Sequence, residues 1–454
     1  MSQQLFKDKD FNKKLIMLVL PIAFQQFMLS LVSACDAVML GAIGQDSLSA
    51  VSLAGQITFV YNLFLAAMTI GTGIFAAQYW GKGDKAAVER VLGYVLKISA
   101  VVSIGFFLAT VAVPTLLMRI FTSDGTLIGF GAQYLRIVGL SYLLCGVSQI
   151  YLCIMKNSQL AGRCMVISSV TVVLNIVLNA VFIYGLLGMP KMGIAGAAVA
   201  TVISRGVELL WAILESLKKD RIKIRPGFIL HTDQRIRRDF WKYTLPVLGN
   251  ELVWGVGFTM YSVIMGHLGT DAVAANSIAN IVKNLIACFC IGLGSGGGIM
   301  VGNELGAARL QNARVYGRRV CILAIVSGAA TGLVIVLLTP LILHFSNLSP
   351  QANLYLKWML LMCSYYMIGK SVNSTTIGGI FCAGGDSKFG FLCDTVTMWC
   401  IVVPLGLVAA FVLKLPVLAV YFIINLDELI KLPVVYKHYV KYKWVRNLTV
   451  SDEA

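Results

Sequence analysis

Charge is what this sequence has least of. Only 13% of its 454 residues are Asp, Glu, Lys or Arg, while 58% are hydrophobic, and a soluble domain carries about a quarter charged residues. That balance excludes an ordinary soluble globule. Acid is scarcer than base, with 21 Asp and Glu against 37 Lys and Arg. Histidine is scarcer still. His231, His267, His344 and His438 are dispersed, so no metal cluster and no hydrolytic constellation is read, and an enzyme is not expected. The eleven cysteines form no CxxC pair; Cys35, Cys145, Cys153, Cys288, Cys290, Cys363 and Cys400 fall in apolar runs and read as small packing residues. A GxxxxGK[ST] phosphate loop is also missing. The glycine-rich GSGGGIMVG (294–302) lies inside an apolar run, where small residues serve close helix packing.

Long apolar runs are what the sequence does have. Taking about 20 residues for one crossing of a ~30 Å hydrocarbon core, twelve spans are read: 15–40, 52–78, 92–117, 133–155, 164–187, 194–217, 244–267, 273–302, 318–345, 354–380, 389–413 and 416–436. Backbone groups cannot go unpaired in lipid, so each span is expected to be a helix. The alternation of a β-barrel is absent. The expected fold class is an all-α polytopic membrane protein.

The basic residues fall on one side. Lys7, Lys9, Lys13 and Lys14, then Lys82, Lys85 and Arg90, then Lys156 and Arg163, share a face with the nine in residues 218 to 242 and with Arg309, Arg314, Arg318, Arg319, Lys388 and the tail. Opposite them stand little more than Arg119, Arg136, Lys191, Lys357 and Lys414. By the positive-inside rule both termini are expected in the cytoplasm of a multi-pass plasma-membrane protein. The net charge of +16 is explained by this bias and by attraction to anionic lipid heads, so nucleic acid is not expected as a partner. No cleavable leader is read at the N-terminus.

Sliding the chain on itself by 225 residues aligns LPIAFQQF (20–27) with LPVLGNEL (245–252). The same offset pairs 36–55 with 261–280 and GTGIFAAQYWG (71–81) with GGGIMVGNELG (296–306). Identical pairs include Pro21 and Pro246, Gly41 and Gly266, Gly44 and Gly269, Asp46 and Asp271, Gly71 and Gly296, Gly73 and Gly298, and Gly81 and Gly306. These residue types set backbone geometry. The chain is therefore divided into a six-helix lobe, 1–217, a basic linker, 218–243, and a second six-helix lobe with a basic tail, 244–454. Six is even, so the halves are parallel repeats about an axis along the membrane normal. Pro21 and Pro246 are expected to bend their helices.

One carboxylate stands out, Asp36 in SACDAVMLGAIG (33–44). An ionisable side chain at the membrane centre costs roughly 2.5–3.5 kcal/mol on insertion scales and normally marks a pathway, a pair or a site. With LPIAFQQ, LSAVSLAG (48–55), GTGIFAAQYWGKGD, GMPKMGIAGAAVATVIS (188–204) and CAGGDSKFGF (382–391), the sequence resembles the multidrug and toxic compound extrusion family along nearly its whole length. That resemblance implies two lobes related by a pseudo-twofold axis, and secondary active antiport of drug-like, often cationic and amphipathic compounds against H⁺ or Na⁺, with no cofactor and with the monomer as the working unit.

The resemblance also implies a cation site in the first lobe. Matched residue by residue, it falls on Asp36, on Asn175 and Asn179 of LNIVLNAVFIYG (174–185), and on Thr201. Family members with this site commonly carry aspartate where this chain has Asn179, so one negative charge is gone. Asn175 and Asn179, four apart, share a helix face. The set suits Na⁺ ligation or a hydrogen-bonded cage around a protonatable Asp36.

A second set of candidates lies in the other lobe: Glu251, Asp394, Asp427 and Glu428. The family's glutamate on the corresponding helix lies about one turn from Glu251. These acids are alternatively paired with Arg205, Lys283, Lys370 or Lys431. Tyr61, Met68, Trp254, Tyr261 and Tyr365 are candidates to line a drug cavity, because flat and soft side chains accommodate varied ligands. The alternative function is a flippase for a lipid-linked precursor, a class expected to show more cleft bases than acids.

Overall fold

The structure is a computed structural model that describes residues 8–346 and 348–450. Lys7, counted above among the basic residues of the first segment, lies outside them. Among the described residues every regular element is helical. The helices are α1 (Lys9–Gly41), α2 (Gln45–Lys82), α3 (Lys85–Ala112), α4 (Pro114–Arg119), α5 (Gly125–Asn157), α6 (Ala161–Tyr184), α7 (Ile194–Ser216), α8 (Pro226–Leu230), α9 (Gln234–Gly266), α10 (Thr270–Gly306), α11 (Leu310–Phe345), α12 (Pro350–Asn373), α13 (Ser387–Asp394), α14 (Val403–Leu407), α15 (Val417–Ile424) and α16 (Asp427–Tyr439). Local chemistry sets several starts: Asp84 caps α3 by accepting from Ala87 N–H, Asp124 caps α5 from Thr126 N–H, and Ser349 caps α12 ahead of Pro350.

The spans read from the sequence correspond to these elements with three differences. Helices overrun the apolar runs; α9 begins at Gln234 and not near 244, because a helix continues beyond the hydrocarbon where polar side chains face water. The run 354–380 is α12 continued by a π-helical stretch, Ser374–Phe381, and the run 389–413 alternates α13 and α14 with π-helical Thr395–Val402 and Val408–Val412. The run 416–436, expected as one helix, breaks between α15 and α16 at Asn425 and Leu426. There the Asn425 side-chain N–H donates to the Tyr421 carbonyl at 2.8 Å, and the two acids that follow start a new helix.

The chain forms two compact units. One comprises Phe27–Ala76 and Asp84–Trp241. In it Tyr61 donates to the Tyr142 carbonyl at 2.8 Å and meets Ser103 Oγ at 3.0 Å, while Ser99 donates to the Gly146 carbonyl at 2.7 Å. The linker is fastened to this unit by its own charges. Arg225 lies 2.6 Å from Glu89, Lys223 N–H donates to the same carboxylate, and Glu215 gathers Arg163, Lys218 and Arg221.

The other unit comprises Met1–Gln26, Ala77–Gly83 and Lys242–Ala454. Packing thus assigns the first half of α1 and the last turns of α2 to this unit, whereas the repeat places both in the first half of the sequence. Lipid tails are as apolar as leucine, so contact between helices rests on close van der Waals approach. The glycines of α10 supply that approach: a Cβ at Gly296 would come within 2.8 Å of Val19, at Gly298 within 2.9 Å of Gly379, and at Gly302 within 2.8 Å of Ala77. Buried Gln78 donates to the Ala383 and Arg446 carbonyls and accepts from Leu448 N–H, which ties the C-terminal tail into the unit.

Candidate functional site

Past Pro21, the second half of α1 carries Asp36 beside one face of α6 and the start of α7, all within the unit that begins at Phe27. The Asn179 side-chain N–H₂ donates to Asp36 Oδ1 at 2.5 Å and to Asn175 Oδ1 at 3.2 Å. Asn175 Nδ2 lies 3.5 Å from Thr201 Oγ1, and that hydroxyl donates to the Ala197 carbonyl at 3.0 Å. The structure therefore brings the four residues read from the sequence into one hydrogen-bonded row. Asn175 and Asn179 are buried, Asp36 and Thr201 half-buried. The Asn179 Oδ1 is buried with no hydrogen-bond partner among the described residues. A carboxylate, an unengaged amide oxygen and a hydroxyl are oxygen donors of the kind a hard cation takes, and they suit a proton on Asp36 equally well. A residue missed from the sequence lies near this row: Tyr134 of α5 packs on the cluster of Leu40, Ile183 and Ala197, residues of the same three helices. Nothing in its sequence neighbourhood distinguishes it from a packing tyrosine.

The acids of the other unit occupy a different environment. Lys431 Nζ lies 2.8 Å from Asp394 and 3.4 Å from Glu428, and Lys370 Nζ lies 3.4 Å from Glu428. Asn373 donates to the Glu428 carboxylate at 2.8 Å and to its backbone carbonyl at 2.7 Å. Asp394 and Glu428 are thus answered by ammonium groups of the protein itself. Lys283 sits 4.7 Å over the Tyr366 ring, and Arg205 pairs with Glu208; neither pairs with the candidate acids. Asp427 is buried, with Oδ1 lacking a hydrogen-bond partner among the described residues, and Glu251 is half-buried with no ion pair among them.

The aromatic candidates divide. Tyr61 and Met68 are each 2% exposed and lie in the interior of their unit, Tyr61 against Phe106 and Tyr142. The Tyr61 hydroxyl is spent on Ser103 and a backbone carbonyl, so these two side chains are packing and not cavity lining. Trp254, half-buried, stacks on Phe258 and carries the Lys370 ammonium at 5.5 Å from its ring. Tyr261 and Tyr365 are half-buried, and their hydroxyls have no hydrogen-bond partner among the described residues.

Comparison with known proteins bears on the family. The MatE family model matches residues 21–181 and 246–408, one match in each half. The uncharacterized transporter YisQ of Bacillus subtilis is 23% identical over 449 residues, 98% of each chain. The probable multidrug resistance protein NorM of Thermotoga maritima is 21% identical over 447 residues, 98% of this chain and 95% of that one. Among solved structures, an outward-facing multidrug resistance MATE family transporter superposes with a TM-score of 0.87 at 19% identity, covering 97% of both chains. A MOP superfamily transporter from Pyrococcus furiosus, reported with a binding pocket of reverse polarity, superposes with a TM-score of 0.87 at 18% identity over 95% of this chain and 96% of that one.

Proposed function

Because the chain belongs to the MatE family, we propose that it is a secondary active multidrug exporter of the plasma membrane, expelling drug-like, amphipathic organic cations against entering H⁺ or Na⁺. Both termini lie in the cytoplasm in this reading, and access alternates between the two sides. Relatives named as probable multidrug resistance proteins support the cargo class. The observation that carries the coupling role is the row from Asp36 through Asn179 and Asn175 to Thr201. It holds an intramembrane carboxylate that no lysine or arginine pairs with among the described residues, so its charge is left for an ion or a proton to answer. In the other unit two of the four candidate acids already have ammonium partners, which favours the first site.

The test is efflux of a fluorescent organic cation from proteoliposomes, driven by a pH gradient alone and then by a Na⁺ gradient alone. The expected result is efflux under one gradient, lost in Asp36→Asn protein that elutes and melts like the parent. Gradient-driven efflux at the parental rate in Asp36→Asn would remove Asp36 from coupling. No efflux of the parent under either gradient would move the reading to a flippase for a lipid-linked precursor.

A further inference from the structure

Arg136 is a cation within a membrane-spanning helix that the protein itself does not answer. It lies about three turns from the Gly125 end of α5, or roughly 16 Å along the axis. The 33 residues of α5 make a helix of about 50 Å, longer than the ~30 Å core. Centred in the bilayer, such a helix overhangs by about 10 Å at each end, which leaves Arg136 a few ångströms inside the hydrocarbon. The side chain is exposed and has no hydrogen bond or ion pair among the described residues. An arginine at that depth reaches for the headgroup layer with its stem in hydrocarbon.

What surrounds it is an open groove of about 350 Å³ between α3, α5 and α7. Phe107, Val111, Leu140, Val199 and Ile203 form its walls, and Arg136 is the one charged residue in the lining. Val111, Leu140 and Ile203 are exposed along it. Apolar walls in a bilayer give shape but little preference, since surrounding tails are equally apolar. Preference must come from the guanidinium, whose planar fork matches a phosphate through two parallel N–H···O bonds. The lining has no carboxylate to pair with a choline or ethanolamine ammonium.

We propose that this groove binds an anionic glycerophospholipid, with one acyl chain along the apolar walls and the phosphodiester accepting from Arg136. The leaflet is the one at the Gly125 end of α5.

The test is native mass spectrometry of the purified full chain after addition of dioleoyl phosphatidylglycerol or dioleoyl phosphatidylcholine. The parent is expected to retain the glycerol lipid in preference to the choline lipid. Loss of one charged hydrogen-bonded contact is worth roughly tenfold, so Arg136→Gln should lower phosphatidylglycerol retention by about that factor, to the choline-lipid level. Leu140→Trp fills the groove while keeping the guanidinium and should lower retention as well. Arg119→Gln, outside the groove, should leave retention unchanged and reports on general loss of charge. Equal retention of the two lipids by the parent would overturn the proposal, as would unchanged retention in Arg136→Gln. Displacement of the lipid by millimolar inorganic phosphate, or parental retention in Leu140→Trp, would mark a headgroup contact without a groove and would overturn it too.

Discussion

Lys431 is 3% exposed, and its ammonium serves both Asp394 and Glu428. Removing one member of a buried ion pair leaves a charge without compensation, which costs about 3–5 kcal/mol, more than the intact pair contributes. Lys431→Met is therefore expected to destabilise the protein by that amount in denaturant titrations, and Asp394→Asn added to it should recover part of the loss. Additive effects of the two changes would show that they do not interact. At the membrane edge, Asp8 accepts from Arg319 at 2.8 Å and from Phe11 N–H at 3.1 Å. Arg319, and then the Phe11 N–H, hold its carboxyl below the ordinary value of 3.8. A carboxyl lowered on folding adds stability above pH ~4 and loses it as pH falls through the lowered value. In Arg319→Gln the acid side of the stability profile should flatten, with a loss of at most about 1 kcal/mol at neutral pH because the pair is partly exposed; an unchanged acid limb would count against the pair. Asp36 was legible because a carboxylate in an apolar run stands out, while Asn175, Asn179 and Thr201 were legible only through the family resemblance, since polar residues at helix spacing do not by themselves point at a carboxylate on another helix. The partner of Lys431 was only half legible: Glu428 is one turn away in sequence, while Asp394 is brought in by packing from another helix.

Between elements, the repeat has a physical counterpart in the last turns of α2 and α10. A Cβ on Gly81 would meet the Asn303 carbonyl oxygen at 2.0 Å, and one on Gly306 would meet that of Gln78 at 1.8 Å. Gln78 and Asn303 are themselves related by the 225-residue offset, so the contact is the same in both directions, as a twofold axis requires. The paired glycines were visible in the sequence, but the crossing was not, because a glycine recurs at equivalent places of two repeats for a turn as readily as for a close approach. Gly81→Val and Gly306→Val are each expected to destabilise by about 1–3 kcal/mol or more, by similar amounts, since the obstruction is backbone and cannot rotate away. Gly44→Ala, where a Cβ meets nothing within 4 Å, should stay within about 0.5 kcal/mol. Equal melting of all three variants would dismiss the crossing as a structural contact. The π-helical stretches and the break at Asn425 were beyond sequence reading for a related reason: they are matters of local backbone hydrogen bonding, such as the Asn425 side chain on the Tyr421 carbonyl, and hydropathy averages over that.

For the whole molecule, the helical character of the apolar runs was legible because lipid permits little besides helices, and ten helices among the described residues are long and apolar enough to cross a membrane where twelve spans were read; the limits of the two compact units were not legible. Those units are set by which helix segments pack together, and α1 and α2 each divide between them. Orientation rests on charge alone: the linker and the loops on its side of the membrane hold most of the Lys and Arg, and the basic linker folds against Glu89 and Glu215 without losing that excess. Lys191, between α6 and α7, and Lys219, after α7, are both exposed and are separated by a single crossing. They must lie on opposite sides. Of the eleven free cysteines only Cys35, Cys321 and Cys400 are not buried, so replacing these three by alanine gives a quiet background for labelling. In that background Lys191→Cys is expected to react with a membrane-impermeant maleimide in intact cells, and Lys219→Cys only after permeabilisation. The reverse pattern would turn the molecule over, place the basic linker outside, and require that a feature other than the Lys and Arg bias sets its insertion.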